Sequence, residues 1–327
     1  MRTAEAVTPK HPDKMCDRIS DGILDWCINE DPEARVAIEV MGGHGHVFVT
    51  GEITMREGTG YLLPSEIRRI VNEVTGKDLE ITANIEAQST DIKKGVDNGG
   101  AGDQGIMVGY ACSDNEAMIP QELYLARSLA KFLYEKWPND GKTQVTLDRD
   151  GFITTIVASF QNAKDRDLKD EVLAWLHSIR KPQDGIKIYA NPAGDWSIGG
   201  FDADTGLTGR KLMVDNYGPQ IAVGGGAFSG KDASKVDRSA AYMARKMAVY
   251  YLKHIGAKDV VVKLAYAIGV AEPVMVTVQA DGKEVEINAG WDLTPNGIIR
   301  ELGLKNPMFQ KTAEWGHFGN NFPWDVI

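Results

Sequence analysis

The sequence predicts an α+β fold made of three similar units, each a small mixed sheet covered by helices on one face. Two observations carry this expectation. An amphipathic helix, a β-hairpin and a second helix recur three times in the same order, with copies beginning near residues 17, 121 and 237. At 327 residues the chain also exceeds the usual size of one compact core. The expected domains are residues 1–98, 99–200 and 201–327, and strands can be exchanged between them.

The first helix of each copy shows apolar residues at helical spacing. These are Ile19, Ile23 and Cys27; then Leu123, Ala126, Ala130, Leu133 and Trp137; then Ala240, Ala244, Met247, Tyr251 and Ile255. The hairpins fall at residues 34–54, 143–160 and 260–279, the second turning at Asp150-Gly151, a strong hairpin dipeptide. The second helices follow. Ile67, Ile70, Val71 and Val74 mark the first, and Leu168, Val172, Trp175, Leu176 and Ile179 the second. The third begins at Thr294-Pro295, an N-cap followed by proline at the first helical position. A strand is expected to close each copy, at LEITANIEA, IKIYA and PMFQKTAEW.

Hydrophobic residues make up 43% and charged residues 25%, values of an ordinary globular chain. A net charge of -10 argues against a general nucleic-acid surface, so any polyanion site must be a local basic cluster. Cys16, Cys27 and Cys112 form no C-x-x-C and no even set, which predicts neither disulfides nor zinc and suits a reducing cytoplasm. The first residues lack the apolar run of a signal peptide, and no stretch has the roughly 20 apolar residues of a membrane span.

Two segments imitate phosphate loops. GAGDQG, residues 100–105, matches G-x-G-x-x-G but follows a polar loop and leads into the strand-like IMVGYAC. It lacks the strand-before, helix-after context of a dinucleotide site. It is therefore either a surface loop or a lid carrying Asp103. GGGAFSGKDASK, residues 224–235, gives G-x-x-x-x-G-K, but Asp232 stands where a P-loop has Ser or Thr, and IAV before it is too short for a convincing strand. Lys231, Lys235 and Arg238 share a face if the segment is helical from Lys231, and Arg210-Lys211 lie upstream. Such a set is either a solvated basic face or a site for a triphosphate. Glu39 and Glu52 interrupt strand patterns, so each faces water or a cation. HPDK at residues 11–14 offers a helix cap or a metal carboxylate beside a proton donor, and His44 and His46 suit a plain hairpin turn.

Taken together, GAGDQGIMVGYA, GGGAFSGKDASKVDRSAAYMAR, HPDKMCDRISDGILD, GLTGRK, AYAIGVAEP and GHFGNNFPW resemble the S-adenosylmethionine synthetases, or methionine adenosyltransferases, in family order across residues 5–324. The resemblance implies three α+β domains related by pseudo-threefold symmetry. It implies that ATP and L-methionine form S-adenosylmethionine by sulfur attack on ribose C5′, with triphosphate as leaving group, then hydrolysed to phosphate and pyrophosphate. A P-loop serves attack at phosphorus; a leaving triphosphate needs cations along its length instead. By the same resemblance His11, Lys142, Arg210, Lys211 and Lys231 are catalytic, and ATP is also held by Asp140, Trp196, Asp204 and Ala227. Glu52, Gln88, Asp204 and Lys235 hold methionine; Asp13 and Asp237 bind two Mg²⁺ per site; Glu39 binds K⁺. The implied assembly is a cytoplasmic homodimer with active sites at the interface, or a pair of such dimers, with Asp103 at the subunit boundary. No nucleic acid or membrane is an expected partner.

The chain departs from the family pattern at Lys10, where glycine is usual, in a short loop between Gly95 and Gly102, and at DWSIGG, where a basic residue and Phe are usual. It also ends soon after FPW. A non-enzymatic nucleotide binder and a P-loop phosphotransferase are the competing readings.

Overall fold

The computed structural model describes residues 1–60, 62–88, 99–179, 185–287 and 290–327. Its three four-stranded sheets are built on one plan. In the first copy, α1 (Pro12–Glu30) leads into a hairpin of β2 (Arg35–Gly43) and β3 (His46–Thr54). Then come α2 (Pro64–Thr75) and β4 (Glu80–Glu86), which pairs parallel to β3. In the second, α3 (Gln121–Lys136) precedes β6 (Gly141–Leu147) and β7 (Ile153–Phe160), then α4 (Asp165–Ile179) and β8 (Lys187–Ala190), parallel to β7. In the third, the one-turn α5 (Leu212–Asp215) and then α6 (Val236–Ile255) precede β10 (Asp259–Tyr266), β11 (Met275–Ala280) and the short β12 (Lys283–Glu284), with α7 (Pro295–Leu302) after them.

Each sheet is completed by a strand from another part of the chain. β1 (Arg2–Val7) pairs antiparallel with β6, β5 (Gly105–Cys112) with β10, and β9 (Gly206–Leu207) with β2. The exchange is cyclic and links the three sheets covalently around the molecule.

The helical stripes face inward as their spacing requires. Ile19, Ile23 and Cys27 of α1 are buried, as are Leu123, Ala126, Ala130 and Leu133 of α3 and Ala240, Ala244 and Met247 of α6. Each buried Ile or Leu contributes about 1.5–3 kcal/mol. Ile255 is exposed and Trp137 only partly covered, because both lie at helix ends. At Gly109 of β5, a Cβ atom would stand 2.0 Å from the Ala244 carbonyl carbon, so α6 meets this strand backbone to backbone. Thr294 caps α7 through Gly297 N–H, with Pro295 at its first position.

One expected strand is not formed. PMFQKTAEW contains α8 (Phe309–Thr312) instead, and the third sheet is antiparallel throughout. The reason lies in α1. The Asp25 carboxylate accepts hydrogen bonds from the backbone N–H groups of Met308, Phe309 and Gln310, a helix-start arrangement, and Phe309 and Ala313 are buried one turn apart. Among the described residues no helix is long and apolar enough to cross a membrane.

Candidate active site

The site begins at a turn. Thr8 is bound to Gly141 and Asn139, and His11 N–H returns to the Thr8 carbonyl. His11 then caps α1: its Nδ1 accepts the Asp13 N–H at 3.2 Å, leaving Nε2 to carry the ring proton when the imidazole is neutral. It stays neutral at pH 7. Burial, then the nearby Lys211, holds its pKa well below the usual imidazole range, to about 3, despite Asp13 and with Lys142 adding to the effect.

In the first turn of α1, Asp13 is fully buried. Its carboxylate accepts from Leu207 N–H at 2.9 Å, from Lys211 Nζ at 2.5 Å and from Arg210 Nε at 2.8 Å. Burial raises its pKa, but the Lys211 and Leu207 hydrogen bonds outweigh that and hold it below the ordinary carboxylate range. Arg210 also donates to the Thr205 carbonyl. Lys142 lies on β6 and ion-pairs with Glu5 at 3.5 Å. His11, Asp13, Lys142, Arg210 and Lys211 thus form one cluster drawn from three strand-and-loop systems.

Lys231 sits in a second cluster. Residues 230–232 run beside β2 as an irregular extra strand: Ile38 N–H donates to Gly230 O, Asp232 N–H to Val36 O, and Ala37 bridges Lys231. Lys231 Nζ reaches Asp237 at 2.6 Å. Glu39, two residues along β2, has its pKa raised by burial, lowered less by Lys231, and raised again by Asp17. The two clusters meet where Gly209 packs on Ala227; a Cβ at Gly209 would lie 2.6 Å from that of Ala227.

This geometry corrects the helical expectation for the basic segment. Helix α6 starts at Val236, so Lys231 and Lys235 precede it. Lys235 hydrogen-bonds Asp232, and Arg238 is fully buried against Asp21. With no strand directly before it, residues 216–223 being irregular, and no helix starting at Lys231, the segment is not a P-loop. GAGDQG is likewise no dinucleotide loop. Its Ala101 exchanges hydrogen bonds with Gly269 and Val270, and it enters β5. Asp103 accepts from Gln104 N–H. Of the short loop, residues 95–98 lie outside the described residues. His44, at φ 51°, makes the plain hairpin turn its sequence suggests.

The remaining positions lie around these clusters. Asp140 accepts from Gly200 N–H at 3.0 Å, and burial pushes its pKa up to about 6. It borders a cavity of ≈ 250 Å³ lined by Lys10, Asn139, Gln161 and Phe201. Trp196 Nε1 donates to Asn191, and Asp204 is exposed. Glu52 is exposed on β3 opposite Ala37, and Gln88 N–H donates to Thr54 Oγ1. Neither Glu52 nor Gln88 touches the Asp13 cluster within this chain; both belong to the outer side of the first sheet. That side also exposes Leu207, Met41 and Phe48, which are paired neighbours across three strands. Lys10, the residue before His11, donates to the Val74 carbonyl at the end of α2 at 2.6 Å.

No three His, Cys, Asp or Glu side chains cluster as a metal site among the described residues. Asp13 and Asp237 instead stand singly, each beside lysine. Single carboxylates suit Mg²⁺, which is commonly held by one or two of them together with substrate phosphates.

A helix terminus, single carboxylates and cations in two adjoining clusters mark the candidate site of a three-domain α+β protein. Sequence comparison narrows the class. Sequence models of the S-adenosylmethionine synthetase N-terminal, central and C-terminal domains match residues 1–98, 98–196 and 198–326. An S-adenosylmethionine synthase of Helicobacter hepaticus is 41% identical over 99% of this chain and 94% of its own. A solved structure described as an unusual S-adenosylmethionine synthetase from Campylobacter jejuni superposes with a TM-score of 0.89 at 30% identity, covering 99% of this chain and 96% of that one. The chain belongs to the S-adenosylmethionine synthetase family and is an enzyme, a methionine adenosyltransferase.

Proposed function

We propose that the chain makes S-adenosylmethionine from ATP and L-methionine by attack of the methionine sulfur on ribose C5′, releasing triphosphate that is then hydrolysed to phosphate and pyrophosphate. The arrangement of Asp13 between Arg210 and Lys211, with neutral His11 beside them, carries this reading. Charge develops on the bridging oxygen as the C5′–O bond breaks. His11 Nε2–H is the donor available to that oxygen, because Nδ1 is occupied by the Asp13 N–H. Lys142, Arg210, Lys211 and Lys231 bind the triphosphate along its length, with Ala227 lining its path. Asp140, Trp196 and Asp204 hold the nucleoside end.

Asp13 and Asp237 would each hold a Mg²⁺, and Glu39 a K⁺. Divalent ions held there would supply neutralisation of phosphate charge, and Lys211, Arg210 and Lys231, which pair with these carboxylates, bind phosphate oxygens beside them. Glu52, Gln88, Asp204 and Lys235 are assigned to methionine. Since Glu52 and Gln88 lie on the outer side of the first sheet, they serve a partner subunit's site in a homodimer. The exposed Leu207–Met41–Phe48 row supports that interface. Pairing of two dimers, Asp103 as an interface or lid residue, and a cytoplasmic location suited to three free buried cysteines complete the proposal.

The test mixes purified protein with ATP, methionine, Mg²⁺ and K⁺, and measures S-adenosylmethionine and phosphate by chromatography. Equal formation of both is expected, reduced about 100-fold or more in Lys231→Ala. A folded, ATP-binding protein that forms no S-adenosylmethionine refutes the proposal.

A further inference from the structure

Helix α1 carries Asp13, Asp17, Asp21 and Asp25 at four-residue intervals, so all four lie along one face. All four accept backbone N–H groups from residues 207–310, far along the chain. Asp17 Oδ1 takes Gly209 N–H at 2.7 Å, and Asp21 Oδ1 takes Gly230 N–H at 2.8 Å. Each of these amides immediately precedes a cation of the site: Gly209 precedes Arg210, and Gly230 precedes Lys231. Both glycines have left-handed backbone, φ +83° and +82°, so each loop turns sharply at its anchored residue.

The second oxygens are held as well. Lys14 Nζ donates to Asp17 at 3.1 Å, and Arg238 forms a two-pronged pair with Asp21 at 2.6 and 2.9 Å. Arg238 also donates to the Lys231 carbonyl at 3.3 Å, so the Asp21–Arg238 pair grips the Gly230–Lys231 segment through an N–H and a C=O. The helix rise separates the two anchors by about 6 Å along α1.

We propose that Asp17 and Asp21 are positioning residues: fixed to one rigid helix, they set the spacing of Arg210-Lys211 and Lys231 on the bound triphosphate. This rests on the function proposed above. It assigns to α1, beyond His11 and Asp13, the task of registering two loops that both also lie against β2. Preorganised charge is effective in catalysis only where such supports fix it.

The test uses the full chain and inorganic tripolyphosphate with Mg²⁺, titrated calorimetrically, beside steady-state kinetics. Asp17→Asn and Asp21→Asn keep an oxygen acceptor for the glycine amide; Asp17→Leu and Asp21→Leu remove it, while both substitutions abolish the charge. The leucine variants are expected to bind tripolyphosphate at least 10-fold more weakly than wild type, and to raise KM for ATP while KM for methionine stays within 3-fold. The asparagine variants are expected within 3-fold of wild type for tripolyphosphate. Equal weakening by Asn and Leu, or no weakening by Leu, overturns the assignment. If a leucine variant does not fold, amide hydrogen exchange on the wild type decides. Gly209 and Gly230 should exchange at least 1,000-fold more slowly than free peptide, and exchange at the free-peptide rate overturns the proposal. A protein that binds tripolyphosphate in this pattern yet forms no S-adenosylmethionine refutes the reaction and leaves the positioning role standing. One that does not bind tripolyphosphate overturns both.

Discussion

Asp140→Asn should stabilise the protein at alkaline pH and not in acid. Burial, opposed by the Gly200 and Gly141 hydrogen bonds and reinforced by Asp204, lifts the carboxyl from 3.8 to about 6. A raised carboxyl pKa means the folded state holds its proton more tightly than the unfolded chain. That advantage is complete below pH 3.8 and is lost as pH rises through 6. At pH 8 the ionised group therefore costs the fold about 3 kcal/mol relative to its protonated form, and at pH 4.5 about 1 kcal/mol. These are upper bounds, since Asp140 retains some solvent contact. Asparagine keeps an acceptor for Gly200 N–H but gives up one of the carboxylate's hydrogen bonds, about 1 kcal/mol. The net expectation is a gain of about 2 kcal/mol at pH 8 and about 0 at pH 4.5. Urea unfolding of both proteins at the two pH values measures it. A gain at pH 4.5 equal to that at pH 8, or a loss at pH 8, would show that burial does not govern this carboxyl.

Other consequences are open to direct measurement. Lys10→Met removes the ammonium that caps the Val74 carbonyl and should lower stability by about 1–2 kcal/mol, read by urea titration; an unchanged midpoint would deny the contact any weight. Gly109→Ala forces a methyl group to within 2.0 Å of the Ala244 backbone. Backbone cannot swing aside as a side chain can, so a loss of about 3 kcal/mol or more is expected, seen as a large fall in melting temperature. Under the proposed function, chelation with EDTA should abolish product while leaving the far-ultraviolet circular dichroism unchanged, because Asp13 and Asp237 keep lysine partners without metal.

Most of the fold is legible because its elements are locally consistent. The stripes of α1, α3 and α6, the Asp150-Gly151 turn and the Thr294-Pro295 cap each express one local preference, and each occurs where expected. The closing segment of the third copy fails for a non-local reason. PMFQKTAEW has no helical signature strong enough to outweigh a strand pattern, and what makes it helical is Asp25, about 280 residues earlier, presenting a carboxylate to three successive amides. The third sheet still reaches four strands because the short β12 pairs with β11 where the closing strand would lie, while β5 supplies the opposite edge along β10.

The site divides along the same line. Charged side chains in unusual sequence surroundings, such as HPDK or Glu39 within VAIEV, are visible as costly residues in want of a partner. Their partners are not visible, because pairing is decided by which loops the sheet exchange brings together. Arg238 illustrates the difficulty: at three residues from Lys235 it looks like another ligand cation, yet it is buried and pairs with Asp21. Asp232 likewise marks more than a missing P-loop residue. It accepts the Val36 N–H at 2.7 Å and the Lys235 ammonium, so it holds the loop against β2. In a P-loop a strand and helix in sequence position the phosphate-binding backbone. Here that rigidity comes from α1 and β2, more than 180 residues away in sequence. Gly230, which would cradle a phosphate in a P-loop, instead lets its loop bend onto a distant helix, while GAGDQG is fastened through Ala101 to Gly269 and Val270, so neither segment that matches a phosphate motif is one.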